Sequence, residues 1–206
     1  MRVAVVGAGN VGRPLAGALV AAGHVVTLSA AHPERAAEVA REVGARAATS
    51  AAAVEDAELV VLAVPYGAVA GLVAAWGDRL AGRVVVDVTN RFDPQTLDGS
   101  SNAEQIQALL PGARVVKAFN TLFAANLAGA PPEGIQVDGF LAGDNAAARA
   151  TVAELLRQLG FRPVDTGPLV MARALEAMAL LNINLNLANG WGWRTAWKLL
   201  GPAHAV

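Results

Sequence analysis

Gly7-Ala8-Gly9-Asn10-Val11-Gly12 follows a β-branched run, Arg2–Val6, and opens an apolar helical stretch. Glycines at this spacing suit one chemistry, the holding of a dinucleotide's diphosphate. Gly7 allows the tight turn, Gly9 lets the backbone approach the phosphates, and Gly12 lets helix and strand pack closely. The N–H groups of Asn10, Val11 and their neighbours would face the anion, helped by the helix dipole. Ala16, further along the same stretch, supports the close helix–strand approach. The cofactor's identity should be written at the end of the next strand, Ser29-Ala30-Ala31-His32-Pro33-Glu34-Arg35. No acid ends that strand to hold the ribose 2′-hydroxyl of NAD, and alanine stands where an arginine would meet the 2′-phosphate of NADP. Ser29, His32 and Arg35, around the start of a helix, are left to receive the phosphate. The expectation is NADP, weakly discriminated from NAD.

A second constellation lies where later strands end: Val64-Pro65-Tyr66, Asp87-Val88-Thr89-Asn90 and Lys117-Ala118-Phe119-Asn120-Thr121. Ligands of open α/β sheets bind beyond the carboxyl ends of strands. Val64, Pro65, Asn90, Ala118 and Asn120 are therefore candidate walls for the nicotinamide and its ribose, with Pro65, Asn120 and Thr121 positioned for hydride transfer. The competing reading is that Asn and Thr here only begin turns or cap helices. Tyr66, the single tyrosine, is the best candidate proton donor if one is needed. Lys117 reads equally as a half-exposed strand lysine or a ligand-facing one. His24 reads as structural and His204 as part of a frayed tail.

The elements that must position these residues alternate. Strands are expected at Arg2–Val6, Val25–Leu28, Leu59–Val64, Val84–Val88, Val115–Phe119, Gly139–Ala142 and Arg162–Asp165. Helices are expected at Val11–Ala22, Pro33–Val43, Thr49–Ala57, Tyr66–Trp76, from Ser101 (with Glu104 as a capping box) and at Asn145–Leu159. Such alternation gives an α/β, Rossmann-type, doubly wound and mostly parallel sheet. Ala128–Gln136, with Pro131-Pro132, is the expected flexible excursion. Leu181–Leu187 alternates with period two, yet its neighbours are helical, so one helix is read across Met171–Asn189. Two domains follow: a dinucleotide-binding unit over 1–166 and a small helical extension over 167–206.

With 206 residues, 54% of them hydrophobic and a net charge of −1, the chain can build one substantial core and offers no basic stripe for nucleic acid. It has no cysteine, which excludes thiolate catalysis and zinc–cysteine sites, and no metal site is expected. Val3–Val6 is too short for a signal peptide, and Met171–Asn189 carries Arg173, Glu176 and four asparagines, which argues against a membrane span. A cytoplasmic protein is expected.

Four stretches, GAGNVG, VLAVPYGAV, VVKAFNTLFAANL and DTGPLVMARALE, resemble the NADP-dependent F420 oxidoreductases and the related reductase domains of the STEAP metalloreductases. The resemblance implies NADPH along the first half of the sheet and a deazaflavin (F420) or flavin against the nicotinamide, in a cleft closed by the C-terminal part. Hydride transfer between such rings asks little of a protein acid or base, which matches a sequence with no evident catalytic dyad. Members that prefer NADP commonly carry Ser-Arg after the second strand; Ala30 and Ala31 depart from that. Trp191, Trp193 and Trp197 would stack on the acceptor ring or enter a dimer interface, the latter being favoured. Two other functions compete. A small imine or carbonyl reductase would carry a helical domain of ~100 residues, against about forty beyond the last strand here. A non-catalytic NAD(P) sensor would need a recruiting segment that the chain lacks. On the final helix, Leu175, Met178, Leu181 and Leu185 form the face expected to bury, with the asparagines elsewhere. Apolar residues around the rest of its circumference predict a homodimer built from about Met171 onward.

Overall fold

The computed structural model describes residues 1–90, 99–127 and 134–201. Residues 128–133 of the expected excursion and His204 lie outside them. In chain order the elements are β1 (Arg2–Val6), α1 (Gly12–Ala21), β2 (Val25–Ser29), α2 (Pro33–Val43), β3 (Arg46–Ala47), α3 (Ser50–Glu55), β4 (Leu59–Leu62), α4 (Val69–Trp76), β5 (Val84–Asp87), α5 (Asn102–Leu109), β6 (Arg114–Ala118), α6 (Ala124–Leu127), β7 (Asp138–Gly143), α7 (Ala146–Gln158), β8 (Arg162–Asp165) and α8 (Ala172–Asn189).

The eight strands form one sheet in the order β3-β2-β1-β4-β5-β6-β7-β8. Its strands are parallel except where β7 runs against β6. Along β1, Val3 and Val5 enter one core while Ala4 and Val6 enter the other. A strand buried on both faces must be apolar throughout, which is why LVVL of β4 is uninterrupted. Helices α1, α2 and α7 cover one face; α3, α4 and α5 cover the other. Because β2 and β3 lie on one side of β1 and β4 to β6 on the other, the order reverses at β1, and a crevice opens there.

Differences from the sequence reading are local. Strand β3 is an exposed two-residue edge with no apolar pattern to announce it. β4 stops at Leu62 and β5 at Asp87, so Val64, Val88 and Thr89 belong to the connections that follow these strands. A 3₁₀ turn, Tyr66–Ala68, precedes α4. The period-two segment is helical, as expected, but the buried face of α8 is not the one expected. Leu175 is buried, yet Leu181 and Leu185 are 51% and 38% exposed while Asn182 and Asn186 are inside. The asparagines face inward because they have partners there: Asn186 Nδ2 donates to Thr195 Oγ1 (2.6 Å), and that hydroxyl donates to Asn182 Oδ1 (2.7 Å).

Arg173 of α8 grips Glu104 of α5 with two hydrogen bonds, at 2.8 and 2.7 Å. That guanidinium, with the Ser101 N–H and hydroxyl of the capping box, holds the Glu104 carboxyl at about 2, below its ordinary 4.5. A carboxylate with a depressed folded-state value stabilises the protein above pH 4.5 and loses that contribution as pH falls toward 2. Arg173 is half exposed, so screening limits the effect to roughly 1–2 kcal/mol. Denaturation at falling pH should therefore show a steeper loss of stability in the unmodified protein than in Arg173→Ala. Parallel curves would exclude the coupling.

Candidate functional site

The glycine turn has the geometry its spacing implies. Gly7 sits at φ 118°, and a Cβ there would lie 2.1 Å from the Ala63 carbonyl oxygen. A Cβ at Gly12 would lie 1.8 Å from the Gly7 carbonyl oxygen. Neither position accepts a side chain. A Cβ at Gly9, by contrast, meets no protein atom within 4 Å. The Gly7 N–H donates to the Ser29 carbonyl at 2.8 Å, which joins the ends of β1 and β2 beside the crevice. No side chain caps the start of α1 and no acid lies in its first turn, so a diphosphate would meet neither a competing acceptor nor a like charge.

A cleft of ≈ 780 Å³ opens along this edge of the sheet. Gly9, Asn10, Val11, Arg13 and Arg35 line it from the first βαβ unit, and Asn90, Asn120 and Thr121 from beyond β5 and β6. An apolar wall of Leu122, Phe123, Ala179, Ile183 and Trp193 completes it, with Phe123 and Trp193 edge to face at 5.4 Å.

Two amides stand at its centre. Asn90 Nδ2 donates to the Asn120 carbonyl (2.9 Å), Asn120 Nδ2 donates to Asn90 Oδ1 (2.9 Å), and Asn120 Nδ2 also reaches the Leu175 carbonyl of α8 (3.0 Å). Phe119, just before Asn120, is held at φ 62°. A left-handed conformation costs a bulky residue about 1–2 kcal/mol, a strain that concentrates at binding sites. On the lining residues, Asn120 Oδ1 and Thr121 Oγ1 are buried without a partner, and Ser29 Oγ is likewise unpartnered at the end of β2. Unsatisfied buried acceptors are rare in folded chains. With open space at Gly9 and two guanidinium groups on the lining, they fit an elongated anionic ligand that brings its own donors.

Seven of the sequence candidates come together on this cleft: Gly9, Asn10, Val11, Arg35, Asn90, Asn120 and Thr121. Gly7 and Gly12 lie beneath it as framework. Ser29 and Ala118 are fully buried at their strand ends. Val64 packs into the core beside α4, and Pro65 is exposed; neither is on the cleft lining. Tyr66, the candidate proton donor, gives its hydroxyl proton to Gln105 Oε1 away from that lining. His32 is exposed next to Glu34, at 3.7 Å. Lys117 fits neither of its two readings: it is completely buried and ion-paired to Asp87 and Glu176. His24 bonds Gln158 at 2.9 Å, a structural contact. The tryptophans separate: Trp193 lines the cleft, Trp197 packs over β7 with Phe140 and Leu175, and Trp191 is exposed.

Arg13 was missed. It occupies the first turn of α1, where a cation opposes the helix dipole, and it pairs with Glu42. A local rule broken directly after a glycine turn is itself a sign of an anion site.

The family described as NADP oxidoreductase, coenzyme F420-dependent, matches residues 2–91. The F420-dependent NADP reductase of Methanothermobacter marburgensis is 32% identical over 92% of this chain and 94% of its own length. The chain belongs to this oxidoreductase family. A crystal structure from Arthrobacter sp. FB24, assigned as an F420-dependent NADP-reductase, superposes with a TM-score of 0.86 at 33% identity, covering 98% of this chain and 100% of the other. Metalloreductase STEAP3 of Rattus norvegicus is 35% identical over 87% of this chain, which spans 36% of that protein's length. The relation to the STEAP reductases therefore holds for one part of those proteins.

Proposed function

We infer that the protein transfers hydride between NADP(H) and a deazaflavin (F420) or flavin ring. The observation that carries this reading is the cleft itself, which runs from an open glycine turn, past two arginines and two orphaned acceptors, to an apolar aromatic wall. Gly7, Gly9 and Gly12 would cradle the diphosphate, with the backbone of Asn10 and Val11. Asn120 Oδ1 and Thr121 Oγ1 would accept hydrogen bonds at the nicotinamide end, and Asn90 holds Asn120 in place. NADPH, when bound, supplies the hydride. What the lining residues add is orientation and exclusion of water.

A small imine or carbonyl substrate would need a proton as well. Among the described residues of the lining, Arg13 and Arg35 are the only ionisable groups, and a guanidinium serves as a hydrogen-bond donor rather than a general acid. A flavin-like ring spreads the arriving charge over its own heteroatoms, so this lining suits it better. Mixing the protein with NADPH and F420, FMN or FAD and following nicotinamide absorbance tests the reading. Turnover with none of the three, together with turnover of a cyclic imine, would replace it.

The cofactor preference follows from the second strand's end. Arg35, in the first turn of α2, faces the cleft but is shared with Glu38 at 2.8 Å, and Glu34 opposes a phosphate at the same helix start. NADP is preferred over NAD, modestly. Ala31 is exposed, so Ala31→Arg has room to form a charge-assisted contact of roughly 1–2 kcal/mol, raising the preference about 5- to 30-fold. Competitive titration with the two cofactors reads this directly. Tighter binding of NAD by the unmodified chain would mean that Ser29 serves a hydroxyl.

Residues 1–166 act as the dinucleotide-binding unit, and 167–206 complete the acceptor cleft and pair two copies into a homodimer. Supporting this, α8 offers Ala179, Asn182 and Ile183 to the cleft and turns exposed leucines away from it. Among the described residues no helix is long and apolar enough to cross a membrane.

A further inference from the structure

Lys117 has no exposed surface. An ammonium removed from water is tolerated when its protons are bonded. Here Nζ donates to Asp87 Oδ2 at 2.8 Å, to the Thr89 carbonyl at 2.6 Å and to Glu176 Oε1 at 2.7 Å. With all three donors committed, this lysine is neither a base nor a nucleophile, and the hydride transfer uses none of these groups. An apolar cluster of equal volume would serve stability as well or better. The arrangement must therefore be read for what it specifies.

What it specifies is the setting of α8. Asp87 ends β5, Lys117 lies in β6 and Glu176 lies in the first half of α8, so one ion cluster joins three elements. Glu176 Oε1 also accepts the Asn102 N–H at 2.8 Å, and Asn102 Nδ2 donates to Thr89 Oγ1 at 2.8 Å. The chain neighbours of this cluster are the cleft's central residues. Thr89 precedes Asn90, and Leu175, which precedes Glu176, gives its carbonyl to Asn120. One to two turns further along α8, Ala179, Asn182 and Ile183 line the cleft.

We propose that Glu176 is a positioning residue: through Lys117 it fixes the register of α8 against the ends of β5 and β6, and so sets the part of the cleft that receives the nicotinamide half of the cofactor. This rests on the NADP(H) reading above. Sliding or rotating α8 would strip a buried ammonium of one partner, a penalty that apolar contacts between the same elements would not impose. The device needs an acceptor at this place more than a full charge. Asp87 Oδ2, 2.8 Å from Nζ, leaves Lys117 a counter-charge when Glu176 is replaced by a neutral isostere.

The test compares NADPH with adenosine 2′,5′-bisphosphate, which carries the adenine half alone. Glu176→Ala should weaken NADPH about tenfold or more and leave the bisphosphate within about twofold, because only the nicotinamide end is displaced. Glu176→Gln keeps an oxygen for Lys117 and Asn102 and should recover NADPH affinity to within about threefold. Equal weakening of both ligands, or of neither, overturns the proposal while leaving the cofactor reading intact. Failure of the unmodified protein to bind either ligand refutes the cofactor reading and this inference with it. Should Glu176→Ala not fold, hydrogen–deuterium exchange on the unmodified protein decides. Protection over residues 175–183 should rise with NADPH and not with the bisphosphate, and any other pattern overturns the proposal.

Discussion

Gly9→Val is expected to abolish NADPH binding while leaving the fold intact. Calorimetry should show a loss of roughly a hundredfold or more, the equivalent of two or more charge-assisted hydrogen bonds from the turn to the diphosphate. The three glycines divide the work in a way that makes this substitution diagnostic. Gly7 and Gly12 each have backbone oxygen closer than 2.2 Å to where a Cβ would go, so changing either disrupts the turn before any ligand is added. Gly9 is outside the left-handed region and its Cβ direction is open, so valine is accommodated by the protein and collides only with what the turn binds. Circular dichroism and melting temperature serve as the control. Unchanged NADPH affinity in a folded Gly9→Val protein would remove the dinucleotide assignment from this turn.

The order of strands and helices was legible because each element carries its own signal. Both faces of the sheet are covered, so β1 and β4 had to be apolar runs, and capping residues such as Ser101 and Asn145 marked helix starts to within a residue. What escaped was either short or tertiary. β3 has two exposed residues and no periodicity, and nothing local to β7 records that it runs against β6. In the site, the glycine turn was legible because glycine is required there by sterics. Asn90, Asn120 and Thr121 were legible from position alone, as polar residues just beyond parallel strands. Lys117 was not, since its meaning depends on Glu176, 59 residues away. Nor was the inward turn of Asn182 and Asn186, because helix patterns assume that amides face water unless a partner is known, and Thr195 lies beyond the helix end.

That inversion of α8 sharpens the expectation of a dimer. With Asn182 and Asn186 turned inward, Ala174, Met178, Leu181, Leu185 and Ala188 are left on the outside, all exposed but the half-buried Met178. Their spacing alternates four and three, the seam by which two helices pack side by side at a shallow angle. Val170 and Met171 before the helix and Leu187 beside the seam are exposed as well, and the one charged residue on the outer side, Arg173, is held by Glu104. A two-fold axis across α8 would let each seam bury its own copy, the self-complementary contact that cyclic dimers use. It would also back the cleft wall formed by Ala179 and Ile183 with a second molecule, keeping water from the hydride-transfer region. Light scattering at micromolar concentration should give twice the chain mass of 21.0 kDa. Leu181→Asp combined with Leu185→Asp should convert it to a monomer. Four carboxylates would then meet at the axis in place of four leucines each worth about 2 kcal/mol buried, a weakening of a thousandfold at least. NADPH affinity should survive the pair of changes, since neither residue reaches the cleft. A monomeric unmodified protein that turns over at full rate would sink the dimer and leave the seam for a different partner.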